Sequence, residues 1–173
     1  MCSRRPSART PPRAPPPSPQ GPPPTRSERI CALDLGARNP ARTVLEVREG
    51  RVRVLDVSKL DWSADWERRV ARDVLSVRAD VVLVEKQCPR SPHAKVLYFL
   101  RGLLHGSGTR VLARNPPLRG GTYRERKRRS VALFAARLRL FGLHADAPPA
   151  AKLDDVADSF HLALAYALRE NGK

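Results

Sequence analysis

A chain of 173 residues is long enough for one domain with a proper core and short for two. Its formal charge of +16, from 33 Lys and Arg against 17 Asp and Glu, makes polyanions the natural partners, nucleic acid first among them, although a basic ribosomal or chromatin-type protein without chemistry shares that composition. No apolar run approaches the roughly 20 residues that a bilayer span needs, and no secretory h-region follows the start, so neither a membrane partner nor export is expected.

Residues 1–29 hold ten of the 17 prolines, six arginines, one acid (Glu28) and no aromatic residue. Proline lacks a backbone N–H and clashes with the preceding turn, so this stretch reads as a disordered, polyproline-like basic extension. Its Arg and Ser content superficially resembles an organelle transit peptide, but the proline density opposes the amphipathic helix such peptides form. The remaining +11 falls on residues 30–173, the expected folded domain. Cys2, Cys31 and Cys88 are odd in number and widely spaced, match no zinc pattern, and read as free thiols in a reducing compartment.

In chain order, Ile30–Gly36 reads as a buried strand ending in a turn. Arg42–Val47 and Arg51–Val57 alternate polar and apolar residues around Glu49-Gly50, a hairpin signal. Trp62, Trp66, Val70, Val74 and Val77 stand at helical spacing, which predicts a helix over Trp62–Val77. Asp80–Glu85 is a short apolar strand ending in an acid. A helix is predicted from after Ser91-Pro92 to about His105, with proline tolerated in the first turn. Thr109–Ala113 reads as a strand, followed by a Pro-Pro and Gly-Gly loop. A basic helix runs from near Tyr123 to before Gly142, and a last helix covers about Leu153–Arg169. The order β-β-β-α-β-α-β-α-α predicts a mixed α/β sheet flanked by helices, the order expected of an RNase H-like fold.

Four acids stand out. Asp34 lies inside an apolar strand, on the same face as Ala32 and Gly36, where an unpaired charge is costly. Glu85 ends DVVLVE in the same way, although a solvated strand boundary would look alike. Asp155 and Asp158, three residues apart, share one side of the last helix, opposite the apolar face of Val156, Phe160, Leu164 and Ala167. Asp154 or Asp155 could serve simply as a helix cap, but Asp158 lies past the first residues. Brought together, four carboxylates repel one another unless a cation compensates, and oxygen-only ligation suits Mg²⁺ or Mn²⁺. Two such ions about 4 Å apart are suited to in-line phosphoryl displacement.

The blocks ICALDLGARNPARTVLEV, KLDWSADWERR, VLVEKQCPRSPHAKVLYFLRG, YRERKRRSV and KLDDVADSFHLAL resemble the poxvirus Holliday-junction resolvases, relatives of bacterial RuvC. The resemblance spans residues 30–173 and leaves out the extension. It implies an RNase H-like (RuvC-like) fold, a homodimer, and paired metal-dependent nicks across branched DNA, the four-way junction. Carried over, Asp34, Glu85, Asp155 and Asp158 are the catalytic and metal-binding acids, with two Mg²⁺ or Mn²⁺ ions per site. Lys127 is the basic residue near the metals, with Arg126 and Arg128 as rivals in the same run. Asp154 is placed as a cap or behind the ligands. The apolar residues of SPHAKVLYFLRGLLHG suit a plain core helix, and the resemblance to RuvC implies that part of that surface joins two subunits. Arg119, Tyr123, Arg124, Arg126 and Arg128 are the candidate nucleic-acid contacts, by stacking and neutralisation. A viral origin would place the protein in host cytoplasm, acting on replication concatemers. Other RNase H-like nucleases, acting on RNA–DNA hybrids or other branched DNA, and a non-catalytic architectural DNA-binding protein are the competing readings.

Overall fold

The computed structural model describes residues 27–35, 40–118, 120–141 and 153–170. The elements are β1 (Ser27–Asp34), β2 (Ala41–Arg48), β3 (Arg51–Lys59), α1 (Trp66–Leu75), β4 (Val81–Glu85), α2 (Ala94–Leu103), β5 (Arg110–Arg114), α3 (Tyr123–Leu140) and α4 (Leu153–Glu170). Their order is the one expected. The proline-rich extension lies outside the described residues, except that Ser27–Arg29 already belong to β1 and pair with β2.

The five strands form one mixed sheet in the order β3-β2-β1-β4-β5. β1 pairs antiparallel with β2, and β2 with β3, whereas β4 lies parallel to both β1 and β5. The parallel β1–β4 pair has a direct consequence for function. Leu33 stands opposite Val84, so the next residues, Asp34 and Glu85, leave the sheet at the same end. The hairpin turn at Glu49-Gly50 has positive φ at both central residues (52° and 73°), the primed geometry that matches the twist of paired strands. In β3 the register steps from Val44 opposite Asp56 to Leu45 opposite Val54, leaving Leu55 as an extra residue. This bulge lets Val54 and Val57 point the same way although they lie three positions apart.

Alternation along the strands divides the core in two. Ile30, Ala32, Leu45, Val81 and Leu83 meet Phe134 of α3 and Val156, Phe160 and Ala163 of α4 on one face. On the other, Cys31, Leu33, Val44, Val82 and Val84 meet α1 and α2 through Val70, Val74, Val96 and Leu100. Burial pushes the Cys31 thiol up to about 12, making it an unreactive core group. Among the described residues no helix is long and apolar enough to cross a membrane.

Two helix predictions need correction. The helix expected over Trp62–Val77 spans Trp66–Leu75, preceded by Asp65 in a left-handed conformation. Trp62 packs beside the same core from the preceding loop, with its indole Nε1 donating to Asp73 at 3.0 Å. Its apolar spacing therefore reported burial, not helix. Likewise α2 ends at Leu103, with Leu104 closing it and His105 in the following turn.

Candidate active site

Three elements bring the acids together. β1 supplies Asp34 and β4 supplies Glu85, side by side because those strands are parallel neighbours. α4 crosses the same face of the sheet and supplies Asp155 and Asp158 from one side of its first two turns. All four line a single cavity of about 370 Å³, together with Lys127, Arg126 and Tyr123 of α3.

Lys127 reaches the centre because α3 is fixed at both ends of its inner face. At its start, Thr122 and Glu125 form a capping box, with Thr122 N–H donating to Glu125 at 2.7 Å and Glu125 N–H donating to the Thr122 hydroxyl at 3.3 Å. Further along, Ser130, Phe134 and Leu138 are buried against α4. Lys127 shares that inner face and donates to Asp158 at 2.6 Å, with Asp154 at 3.4 Å and Asp155 at 3.6 Å. Geometry therefore brings Lys127, and not the neighbouring Arg128, to the carboxylates. Arg124 and Arg128 sit on the exposed side of α3 and do not line the cavity. Arg126 does line it, half-buried, and its Nε has no hydrogen-bond partner. Arg119 lies outside the described residues.

The electrostatics are those of crowded carboxylates. Burial first, then the charges of Glu85 and Asp158, push Asp34 up to about 8, against the opposing pull of Lys127. Glu85 is raised too, mainly by burial, while a hydrogen bond from Asp34 acts in the opposite sense. Both carboxyls are thus held above the ordinary carboxylate range by burial and mutual repulsion. Asp155 is raised by burial and by Asp154, with Lys127 and Lys59 lowering it. For Lys127 itself burial favours the neutral amine, but the hydrogen bond and charge of Asp158 outweigh it and hold the ammonium above its ordinary value.

Behind Asp158 lies a buried network that sequence reasoning missed. The Ser130 hydroxyl donates to Asp158 Oδ1 at 2.6 Å, while Lys127 occupies Oδ2. His161, one turn beyond Asp158, donates from Nε2 to the Ser130 carbonyl and accepts at Nδ1 from Arg137, both at 2.9 Å. Burial favours the neutral ring, consistent with one nitrogen donating and the other accepting. Ser130→Ala should therefore release one oxygen of Asp158. If Asp158 holds a cation, as the resemblance implies, the cation concentration at half-saturation should rise about ten- to hundredfold, as for other groups that orient metal ligands. A titration with unchanged midpoint would show that Ser130 only packs.

Among the described residues no three His, Cys, Asp or Glu side chains have the spacing to enclose an ion, with Lys127 lying among the acids. The donor chemistry nevertheless fits a hard divalent cation. Every candidate ligand is a carboxylate oxygen, the group is partly desolvated, and one ammonium leaves the acids raised.

A mixed five-stranded sheet with acids at the ends of its two central strands and on its last helix is the arrangement of an RNase H-like nuclease fold. The RuvC structure of Thermus thermophilus shares this fold, with a TM-score of 0.57 and 20% identity over 83% of this chain and 96% of that one. The family model described as Poxvirus A22 protein matches residues 28–170, and the chain belongs to that family. It is 54% identical to the resolvase of Variola virus over 143 residues, 82% of this chain and 76% of that protein. The Holliday junction resolvase of Fowlpox virus (strain NVSL) is 38% identical over 141 residues, 79% and 90% of the respective chains. The crystal structure of the Fowlpox virus resolvase with substrate Holliday junction DNA superposes with a TM-score of 0.77 and 36% identity, covering 82% of this chain and 98% of that one.

Proposed function

We infer that this chain is a divalent-cation-dependent endonuclease that resolves four-way DNA junctions. The observation that carries this reading is the convergence of Asp34, Glu85, Asp155 and Asp158 on one cavity with Lys127, in a chain whose relatives are named resolvases. Mg²⁺ or Mn²⁺, held by these four carboxylates, would supply Lewis-acid polarisation of the scissile phosphate and a nucleophilic hydroxide at neutral pH. The protein's own groups do the rest. Lys127, pinned among Asp154, Asp155 and Asp158, offers positive charge where negative charge develops on phosphorus-bound oxygen. Arg126, which lines the same cavity, adds a second positive charge near Glu85. A cation held by Asp34 and Glu85 would compete with protons for these raised carboxyls.

Cutting both strands of a junction needs two such cavities facing opposed strands, which a two-fold homodimer provides. The helix α2 supports this reading. It carries Leu97, Phe99 and Leu103 only partly buried, beside a 68% exposed Tyr98.

The deciding experiment incubates an immobile labelled junction, a linear duplex and an RNA–DNA hybrid with wild type or Asp155→Asn, in Mg²⁺ or EDTA. Paired nicks in the junction alone, lost in EDTA and in the variant, are expected. Junction binding without cutting in any divalent metal would overturn the enzyme reading, and preferred cutting of the hybrid would overturn the substrate.

Cation binding should also appear in stability. An acid whose folded pKa is raised destabilises the fold as pH rises from its unfolded value near 4 through its folded value, about 8 for Asp34. A cation relieves that cost and competes with the proton, so Mg²⁺ should raise Tm by several degrees at pH 8.5 and by less at pH 6. An equal or larger shift at pH 6, read by differential scanning fluorimetry, would contradict the assignment.

A further inference from the structure

Beside the active-site cavity lies a second one of about 500 Å³, and the two share Pro116, Pro117 and Leu162. Its walls carry two arginines, Arg114 from the end of β5 and Arg169 from the end of α4, with Asn115 between strand and loop. Both arginines are exposed, and among the described residues neither forms an ion pair with a carboxylate. Arg110, Arg42 and Arg69, by contrast, are each paired.

The sheet register fixes where Arg114 stands. It is the direct partner of Glu85 in the parallel β4–β5 ladder, so both side chains leave the same face of the sheet. One strand spacing, about 4.8 Å, separates their backbones. Arg114 is also held in place, with its guanidinium 6.0 Å from the Tyr166 ring centre. Tyr166 is buried, and its hydroxyl accepts from Arg110 at 2.9 Å. Pro116 and Pro117 form a stiff saddle between the cavities, since proline fixes its own φ.

A strand whose scissile phosphate meets the carboxylates must continue beyond them. Towards α3 it would meet Arg126 and Tyr123; towards the sheet edge it would cross the saddle and meet Arg114 and Arg169. We propose that Arg114 and Arg169 form a phosphate subsite for the cleaved strand, on the β5 side of the scissile bond. This rests on the nuclease reading above and adds to it a direction for the strand and two residues that hold it. Two exposed cations with no acidic partner among the described residues, one of them a strand away from Glu85, are placed for a phosphodiester. Their role is positioning by backbone contact, independent of base sequence.

The test pairs Arg114→Gln/Arg169→Gln with Arg51→Gln/Arg53→Gln. The second pair removes the same charge from exposed residues of β3 at the opposite end of the sheet from Asp34. Junction binding is measured from 50 to 200 mM salt in the non-cleaving Asp155→Asn background, and kcat and KM in otherwise unaltered protein. In the first pair, KM and Kd should rise on the order of tenfold, with kcat little changed, and the slope of log Kd against log salt should fall by about 2. The second pair should change affinity by less than about threefold. Equal losses in both pairs, or an unchanged salt slope in the first, would overturn the subsite and leave the nuclease reading standing. Wild type that shows no preference for junctions over linear duplex would overturn that reading, and the subsite with it.

Discussion

Asp34→Asn should abolish junction cleavage, by on the order of 10³-fold or more, and make the metal-free protein more stable. The loss follows from removing a carboxylate from the group proposed to hold the cation and orient the phosphate. The gain has a separate cause. Asp34 is 7% exposed and carries its charge against Glu85 and Asp158, so above its raised pKa the fold works against repulsion and desolvation. Asparagine has the same shape, is neutral at every pH, and can donate to Glu85 as the protonated acid does. A stability increase of about 1–2 kcal/mol is expected in EDTA at pH 8. It should shrink towards pH 5, where Asp34 is protonated in the wild type. Mg²⁺ should no longer raise Tm as it does for the parent. A variant that lost cleavage and stability together at pH 8 would show that the charge is compensated within the chain.

Phe160→Ala should do the reverse, costing about 3–5 kcal/mol of stability while sparing the chemistry of whatever remains folded. Phe160 is fully buried at the point where α4 meets α3 and the sheet. Its ring stands edge-on to Phe134 at 5.2 Å and to Phe141 at 6.3 Å. Truncation leaves a cavity in the contact that holds Lys127 and Asp158 in register. Since a domain is typically stable by only about 5–15 kcal/mol, the midpoint of thermal unfolding should drop on the order of 10 °C. Cleavage at 15 °C, per folded molecule, should stay within about tenfold of the parent, as no ligand is lost. Denaturation showing less than about 1 kcal/mol of destabilisation would mean that α3 and α4 are held elsewhere.

These two residues illustrate what the sequence made legible. Asp34 was conspicuous because a charge inside ICALDLG violates the apolar pattern around it, and Phe160 because it repeats with Val156, Leu164 and Ala167 on one helix face. The bulge was not read, although Arg51–Val57 breaks its alternation at Val54-Leu55. Trp62 misled because burial from a loop and burial from a helix leave the same apolar mark. Convergence was not legible at all. That Asp34 and Glu85 adjoin depends on β4 pairing parallel to β1, a non-local fact. Lys127 could not be told from Arg126 or Arg128 by composition, since only the packing of Ser130 and Phe134 decides which of them points inward. Ser130 and His161 went unnoticed because a serine and a histidine on apolar helix faces carry no signal until their partners are known. The capping box at Thr122 and Glu125 was not read either, although the helix start near Tyr123 was.

The bulge at Leu55 also bears on how copies of this chain can meet. β3 is an edge strand of the described sheet. Such an edge invites another strand to add in register, which at high protein concentration leads to disordered stacking. Here the ladder cannot be extended evenly. The extra residue breaks the regular repeat midway, and Arg51 and Arg53 place like charges where an identical strand would lie. The homodimer proposed above would therefore have to form through helical surfaces, where a closed pair seeds no chain of further additions.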